Sequence, residues 1–365
     1  MCGAARGPRL HLKGGNEMAG NIAYSYVPDR GWTGRRFTIA HVPVKPEEVK
    51  LTLHPRGKDP LPVAIRSVEA KDGLLEIAAE EFDYRSGWEL EIGGDRYTRR
   101  EMDEERVEGL EHFKAGNENG VLYRLYSPEA STPRPMILFL HGGGNGGTDN
   151  ITHIAADYSC NHFVKRYPDF FVLAPQAQEP DFSMMVGRIG KIDFAHSDQD
   201  GDFGWSRRYL GLVCDLIRGM IADGRVDPKR IYVTGMSMGG AGTLRAMSVG
   251  ADLFAAAVPV CPTMTPETFG ILKGLVHSKL WVATSYVDHT IYRHKYIVDG
   301  ILALRDAGNK DAHLTLYAPE ELQKYGIATD PDLSYPELFS QNHMSWVPTY
   351  HDEHGIMSWL TEQTL

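Results

Sequence analysis

The chain has 365 residues and a formal net charge of -10 at pH 7, with 42% hydrophobic and 24% charged residues. These fractions are ordinary for a folded globular protein, and the length favours two domains over one. The negative charge argues against a nucleic-acid partner, because a phosphate-binding surface needs an excess of lysine and arginine. No apolar run in the sequence approaches the roughly 20 residues that a membrane-spanning helix needs.

The four cysteines do not indicate a metal or redox site, because they are far apart in the sequence and form no Cys-x-x-Cys pair. We therefore predict that the protein needs no metal and no cofactor. The compartment and the oligomeric state stay open. A cytoplasmic location fits the sequence as it stands, and a secreted or lipoprotein location would follow if a signal has been removed before Cys2.

The N-terminal third predicts a small domain of β-strands. Residues 1–30 are rich in glycine and lack a sustained periodicity, so an irregular segment is predicted there. Over residues 31–105, short stretches alternate apolar and polar residues, which is the period of a half-buried strand. Several such strands close together predict a β-sandwich. The charged run 99–106 is typical of a solvated linker.

From residue 106 to 365 the strands become continuous apolar runs. Strands without a polar face are buried on both sides, as in a parallel sheet covered by helices. Helical periodicity occurs between them, from Leu210 to Ile221 and from about Tyr296 to Gly308. This alternation predicts an α/β domain. The apolar runs are 136–140, 170–174, 231–234, 256–260 and 280–284.

The strongest local signal is the sequence Gly-Met-Ser-Met-Gly-Gly at residues 235–240. It follows a predicted strand and precedes a predicted helix, which is the setting of a nucleophile turn. Side chains at Gly235 and Gly239 would clash in so tight a turn. Ser237 would stand at the N-terminus of a helix, where backbone N–H groups favour an anion. We therefore predict Ser237 to be a nucleophile.

A second glycine-rich stretch begins at His141, directly after the first buried run. When a nucleophile turn is present, the loop in this place donates one N–H group of the oxyanion hole, and the residue after the nucleophile donates the other. The predicted donors are therefore Gly142 and Gly143 in the loop and Met238 after Ser237. Such donors stabilise the negative charge that develops on a carbonyl oxygen.

A serine nucleophile needs a base, and the base needs an orienting carboxylate. In this arrangement the acid and then the histidine follow the serine in the chain. Asp288 is the first carboxylate after the run 280–284 and is the predicted acid. Asp299 and Asp306 belong to the predicted helix that follows, where we expect them to face water.

His343 is the predicted base, because it lies between the last predicted strand and the final helix. Other histidines after Asp288 are disfavoured by their positions. His289 and His294 lie too close to Asp288 in the chain. His313 precedes a predicted strand, and His351 and His354 belong to the predicted final helix.

Seven stretches of the chain carry a family resemblance: 120–128, 138–144, 147–150, 174–176, 204–206, 227–235 and 342–346. Together they resemble the esterase and "predicted peptidase" branch of α/β-hydrolases, which includes polyhydroxybutyrate-depolymerase-like and feruloyl or acetylxylan esterase-like enzymes. The resemblance covers nearly all of residues 107–365, in family order. It implies an α/β-hydrolase fold with Ser237, Asp288 and His343 as triad. Some members carry an N-terminal immunoglobulin-like domain, which would suit residues 31–105.

Two stretches depart from the family pattern. Residues 284–288 lack the His-Gly pair that usually precedes the acid. Residues 318–342 are longer than expected, and long segments of this kind are often functional, so we predict a lid or one wall of the substrate cleft there. Trp205, Gln176 and Trp346 are the further candidates for the pocket wall.

The predicted activity is hydrolysis of a carboxylic ester through an acyl-enzyme. The substrate would be an acetyl, feruloyl or small polyester-like ester, either a small molecule or linked to a polysaccharide. Two alternatives stay open. The first is a serine peptidase acting on short peptides, because the same triad cleaves amides. The second is a carbohydrate-binding protein with an inert hydrolase domain, which an exposed cluster of Tyr24, Tyr26, Trp32 and Tyr84 would favour.

Overall fold

The computed structural model describes residues 20–26, 33–55, 57–84, 86–155, 159–178, 204–288, 291–327, 329 and 342–365. Contacts divide the chain into two units, one of residues 1–112 with 155–158 and the other of residues 113–154 with 159–365. The border therefore falls after residue 112, seven residues beyond the boundary at 105 that the sequence predicted. The difference arises because residues 104–107 form a strand of the first unit.

The described part of the first unit forms two sheets. Its strands are β1 (Ile22–Tyr26), β2 (Thr33–Ile39), β3 (Val49–His54), β4 (Leu61–Val63), β5 (Ile65–Lys71), β6 (Leu74–Asp83), β7 (Gly87–Ile92), β8 (Asp95–Tyr97) and β9 (Glu104–Val107). One sheet has the order β5-β6-β2-β1-β9 and the other has the order β4-β3-β7-β8. Neighbouring strands are antiparallel except β1 and β9, which are parallel.

Aromatic side chains pack between these two sheets. The rings of Phe37 on β2 and Trp88 on β7 have centroids 5.0 Å apart, and both side chains are buried. Tyr84 joins this cluster, with its centroid 5.8 Å from that of Trp88. Alternate residues of β7 are buried, as the period of two predicted. The β-sandwich is therefore built on a shared aromatic core.

Two expectations for this unit were wrong. The stretch 1–30, expected to be irregular, contains β1, and the expected linker 99–106 contains most of β9. The two strands pair with each other across about 80 residues of chain, and local periodicity does not detect such a partner. Tyr84 is 1% exposed, and its hydroxyl donates to Glu105 at 2.7 Å, so it offers no binding surface. Trp32 lies outside the described residues.

The described part of the second unit contains an eight-stranded sheet in the order β10-β11-β13-β12-β14-β15-β16-β17. Its strands are β10 (Lys114–Glu118), β11 (Val121–Tyr126), β12 (Arg134–Leu140), β13 (Phe171–Pro175), β14 (Val226–Met236), β15 (Ala256–Val260), β16 (Leu280–Ser285) and β17 (Ala312–Tyr317). Strand β11 runs antiparallel to both of its neighbours, whereas the pairs from β13 to β17 are all parallel.

Helices connect these strands. Their bounds are α1 (Thr152–Ala155), α2 (Ser159–Arg166), α3 (Arg207–Ala222), α4 (Met238–Val249), α5 (Pro266–Gly274), α6 (Ile291–Asp306), α7 (Pro319–Gln323), α8 (Trp346–Tyr350) and α9 (Ile356–Glu362). Among the described residues, none of these helices is both long enough and apolar enough to cross a bilayer.

The five apolar runs predicted as buried strands all lie on central strands of this sheet. Leu138 on β12, Val233 on β14 and Val258 on β15 have no exposed surface. Because these strands are parallel, their C-terminal ends meet at one edge, and loops at that edge carry the ligand site in open α/β sheets. The loop from His141, Ser237 and Asp288 all follow C-terminal ends of this kind.

The C-terminal part differs in two ways from the sequence-based expectation. His351 and His354 lie between α8 and α9 and not on the final helix, because helix α9 begins only at Ile356, after Gly355 in a left-handed conformation. The predicted lid, 318–342, begins with α7. Residues 328 and 330–341 lie outside the described residues, so the lid stays a prediction.

Candidate active site

Ser237 occupies a strained turn between β14 and α4. Its φ and ψ angles are 57° and -115°, and as the residue that caps α4 it makes no side-chain capping hydrogen bond. A non-glycine residue in such a conformation costs about 1–3 kcal/mol, and such residues cluster at functional sites. The side chain is 8% exposed. The Ser237 hydroxyl is therefore not used to cap the helix, as the hydroxyl of a serine in this place usually is.

The glycines on either side of Ser237 are required by the close approach of backbone atoms. A Cβ atom on Gly239 would overlap the carbonyl oxygen of Leu140 and lie 2.7 Å from that of His141. A Cβ atom on Gly235 would lie 2.6 Å from the oxygen of Gly239. These are backbone atoms, so a side chain could not be accommodated by a change of rotamer. The steric reason predicted for the two glycines is thus present in the structure.

We expect Gly239→Ala to destabilise the protein by several kcal/mol, since its Cβ would displace the end of β12 from α4. Gly270→Ala is the matched control, because Gly270 is an exposed residue of α5 and a Cβ there meets nothing within 4 Å. That control should stabilise by about 0.5–1 kcal/mol, as alanine is the better helix former. Urea unfolding measures both, and equal stability of the two variants would contradict the expected clash.

Asp288 and His343 form a buried pair. Nδ1 of His343 lies 2.9 Å from Oδ2 of Asp288, and the side chains are 4% and 0% exposed. Asp288 follows β16, and His343 lies in the turn before α8. Strand β15 separates β14 from β16, so the ends that carry Ser237 and Asp288 are about 10 Å apart. An imidazole held by Asp288 has the length to bridge that gap towards Ser237.

The other candidate histidines have different surroundings. Nε2 of His354 lies 2.6 Å from a carboxylate oxygen of Glu321. His313 packs between two tryptophan rings, with centroid distances of 5.0 Å and 5.3 Å. His351 packs against Tyr325 at 5.0 Å, and His294 against Tyr286 at 5.3 Å. His289 lies outside the described residues.

The loop after β12 lies against the nucleophile turn. A Cβ built on Gly142 would be 3.9 Å from the Cβ of Ser237. Met238 is the first residue of α4, so its N–H has no acceptor within that helix. The backbone of Gly142 and the N-terminus of α4 thus lie beside the same side chain, as an oxyanion site requires.

The His141 imidazole holds this loop in place, a role that sequence reasoning missed. Its Nδ1 lies 2.7 Å from the oxygen of Gly142, and its Nε2 lies 2.9 Å from the nitrogen of Ala177. Because the Ala177 N–H must donate, Nε2 accepts, and the proton on Nδ1 is donated to Gly142. In a planar trans peptide the N–H points opposite to the C=O, so this bond sets the direction of the Gly143 N–H. The position of His141 directly before the glycines was the available signal.

One stretch of the second unit matches a known protein family. Residues 213–297 match the family model of the prolyl oligopeptidase family, Peptidase_S9, and include Ser237 and Asp288. No curated protein matches the chain by sequence. The structure is similar to a thermostable esterase with a TM-score of 0.63 and 21% identity, over 95% of this chain and 100% of that one. The chain has the α/β-hydrolase fold.

Two further solved structures are similar at lower scores. A ferulic acid esterase has a TM-score of 0.41 and 13% identity, over 68% of this chain and 97% of that one. An acylaminoacyl peptidase in complex with a chloromethyl ketone has a TM-score of 0.43 and 14% identity, over 91% of this chain and 54% of that one. The α/β-hydrolase fold predicted from the sequence is confirmed by the match over both units.

Two of the three residues predicted to line the pocket of this α/β-hydrolase lie in its interior. Trp205 and Gln176 have no exposed surface in this structure, and their place in a pocket wall stays a prediction. Gln176 orders the segment after the glycine loop: its Oε1 accepts from the N–H of Asn150 at 2.6 Å, and its Nε2 donates to Asp149 at 2.8 Å. Sequence shows that a polar or aromatic residue follows a strand, but not which way it faces.

Trp346 is the third predicted pocket residue and lies beside the candidate base. Its ring is half-buried and meets the His343 ring edge-on, with centroids 5.5 Å apart. This contact restricts the rotation of the imidazole. A role of Trp346 in the pocket wall stays a prediction.

The α/β-hydrolase domain should lose stability in mild acid because of two buried histidines. Burial lowers the pKa of His141 to about 4 and that of His153 to about 3. Below pH 6.5 the unfolded chain binds protons at these histidines while the folded chain does not, so the free energy of unfolding falls as the pH is lowered. At pH 5 each histidine should account for a loss of about 2 kcal/mol.

Urea unfolding at pH 7.5, 6 and 5 measures this loss. His153→Gln should flatten the pH dependence by roughly half, because glutamine cannot take up a proton. The control His112→Gln changes an exposed histidine and should leave the dependence unchanged. A dependence as steep in His153→Gln as in the wild type would contradict the assignment.

Proposed function

We propose that this protein is a serine hydrolase that cleaves carboxylic esters through an acyl-enzyme, with Ser237 as nucleophile, His343 as base and Asp288 as orienting acid. The observation that best supports the proposal is the buried pair of His343 Nδ1 and Asp288 Oδ2, 2.9 Å apart. It lies at the sheet edge where Ser237 stands in a strained turn. A buried charge and a strained residue both lower the stability of the fold, and a catalytic role would explain why both are present.

In the proposed reaction, Nε2 of His343 takes the proton of the Ser237 hydroxyl as that oxygen attacks the carbonyl carbon of the ester. The carbonyl oxygen becomes an oxyanion and accepts hydrogen bonds from the N–H groups of Met238 and of Gly142 or Gly143. Asp288 accepts the Nδ1–H and stabilises the imidazolium. When the C–O bond to the alcohol breaks, the imidazolium returns its proton to the leaving oxygen, and acyl-Ser237 remains.

Deacylation repeats these steps with water. His343 takes a proton from the water molecule, whose oxygen attacks the acyl carbon and forms a second oxyanion in the same site. The bond to Ser237 then breaks, and the imidazolium gives its proton to the Ser237 oxygen. The carboxylic acid leaves, and the residues return to their starting protonation states. Over the whole cycle the Ser237 proton leaves with the alcohol, and water supplies the proton that regenerates the Ser237 hydroxyl.

The proposed substrates are acetyl, feruloyl or small polyester-like esters, as small molecules or linked to a polysaccharide. The structural likeness that extends over both units is to an esterase, which favours an ester. The second candidate is a serine peptidase acting on short peptides. It is favoured by the match of residues 213–297 to the prolyl oligopeptidase family, because that stretch contains Ser237 and Asp288.

The experiment that separates these candidates compares esters with amides of matched size. The esters are p-nitrophenyl acetate, butyrate and octanoate and methyl ferulate, and the amides are N-acylated amino-acid p-nitroanilides. We expect a burst of p-nitrophenol that corresponds to formation of the acyl-enzyme. The value of kcat/KM should be about a hundredfold higher for the better ester than for any anilide, which is about 2.7 kcal/mol of transition-state stabilisation.

Anilides cleaved as well as esters would replace the esterase proposal by the peptidase. No hydrolysis of either set, together with no labelling of Ser237 by a fluorophosphonate, would overturn the proposal of a serine hydrolase. In that case the carbohydrate-binding alternative would be the next to test, on the first unit.

A further inference from the structure

The indole of Trp205 is hydrogen-bonded to the loop that carries the proposed oxyanion donors. Its Nε1 lies 3.0 Å from the carbonyl oxygen of His141, and the side chain has no exposed surface. The ring also packs against the His141 imidazole, with centroids 4.8 Å apart. An indole N–H can only donate, so the direction of this hydrogen bond is certain.

This hydrogen bond has a geometric consequence on the other side of the same peptide group. The carbonyl of His141 and the N–H of Gly142 belong to one planar trans peptide and point in opposite directions. Donation to the His141 oxygen therefore sets the direction of the Gly142 N–H. The bond also polarises the peptide group, which makes that N–H a stronger donor. Gly142 lies beside Ser237, since a Cβ on Gly142 would be 3.9 Å from the Cβ of Ser237.

Trp205 is held by the helix that begins at Ser237. A Cβ on Gly242 of α4 would lie 2.7 Å from Cδ1 of the indole, so this glycine leaves the space in which the ring packs. Arg245, one turn further along α4, donates to the carbonyl oxygen of Trp205 at 3.4 Å. Its guanidinium is itself fixed by an ion pair with Glu267 at 2.7 Å. The indole thus connects the nucleophile helix to the glycine loop.

We propose that Trp205 is a positioning residue that aligns the Gly142 N–H with the oxyanion formed on Ser237. The inference rests on the proposed function. The indole holds the peptide that carries the donor, while the His141 imidazole fixes the next peptide along the chain. Packing of the indole against Gly242 by itself would require only a flat apolar ring, whereas positioning requires the N–H as well.

The variant Trp205→Phe separates the two roles, because it keeps an aromatic ring and removes the N–H. We expect kcat for p-nitrophenyl acetate to fall about 10- to 100-fold, somewhat less than the loss on removing an oxyanion donor outright. KM should change by less than about twofold, since the donor acts on charge that develops in the transition state. The inhibition constant of a trifluoromethyl ketone, which forms an oxyanion on the serine, should rise by the same factor as kcat falls.

Trp281→Phe is the matched control. Its indole N–H also donates a hydrogen bond, to Oγ1 of Thr315 at 2.9 Å, but near the start of β16, at the opposite end of that strand from Asp288. We expect kcat and the inhibition constant of this variant to stay within about twofold of the wild type, with a similar change in stability. Gly242→Ala provides a second variant of the site, since it pushes on the Trp205 ring while the N–H is retained, and it should also lower kcat.

Thermal unfolding shows whether each variant is folded at the assay temperature. A folded Trp205→Phe with wild-type kcat and inhibition constant would overturn the inference, and the proposed function would be untouched. Equal losses in Trp205→Phe and Trp281→Phe would also overturn it, because they would reflect general destabilisation. A wild type that hydrolyses no ester and no amide would overturn the proposed function, and the inference with it.

Discussion

Replacing Ser237 by alanine is expected to lower kcat for p-nitrophenyl esters by about a thousandfold to a millionfold, the range in which removal of a triad serine falls. The reason is that no acyl-enzyme forms without the hydroxyl. The fold should be kept, because alanine occupies the same strained turn and the glycines around it are unchanged. Steady-state kinetics and thermal unfolding of the purified variant measure the two quantities.

Ser248→Ala is the control for this prediction. Ser248 lies near the other end of the same helix, α4, and its hydroxyl accepts a hydrogen bond from Arg207 at 3.2 Å. Its activity should equal that of the wild type. If Ser237→Ala kept most of the activity while a fluorophosphonate labelled a different residue, Ser237 would not be the nucleophile.

Replacing Asp288 by asparagine is expected to lower kcat by about ten-thousandfold. The Asp288 carboxylate accepts the proton of His343 Nδ1 and so leaves Nε2 free to act as base. An asparagine in that place can donate its own N–H to Nδ1, which moves the imidazole proton to Nε2 and blocks proton transfer from Ser237. The kinetics of Asp288→Asn, measured at several pH values, test this reasoning.

Asp299→Asn is the control for the acid. Asp299 is an exposed residue of α6 and is the next carboxylate after Asp288 in the sequence. We expect its variant to retain activity within about twofold of the wild type. A large loss in Asp299→Asn together with none in Asp288→Asn would assign the acid to α6 and would leave the buried Asp288–His343 pair without a catalytic role.

The architecture of the second unit could be predicted because its strands are buried on both faces. Runs such as 136–140 and 256–260 have no polar side, and this is a property of the local sequence. The nucleophile turn could also be predicted from a short stretch of sequence, since the end of the strand, the serine and both glycines lie within about a dozen residues. Each element carried its own signal, and chain order then indicated Asp288 and His343 as the partners of Ser237.

Elements that depend on distant partners were not predicted. Strand β1 pairs with β9, and neither has the periodicity that would identify a strand by itself. Exposure of Tyr84 would have favoured a binding protein, but Tyr84 is buried against Phe82 and Trp88 and donates to Glu105, 21 residues away along the chain. The directions of the Trp205 and Gln176 side chains were not predicted either, because their hydrogen-bond partners lie up to 64 residues away along the chain.

Local sequence was enough to indicate Ser237, Asp288 and His343 as candidates and to place each of them after a strand. Burial of a strand and the need for glycine beside a tight turn depend on residues that are close in the chain. Both can therefore be recognised in a short stretch of sequence. The directions in which Trp205 and Gln176 face, and the hydrogen bonds that hold the glycine loop, became visible only in the folded chain. Those contacts join residues that are distant in the chain, and their geometry depends on the packing of the whole sheet.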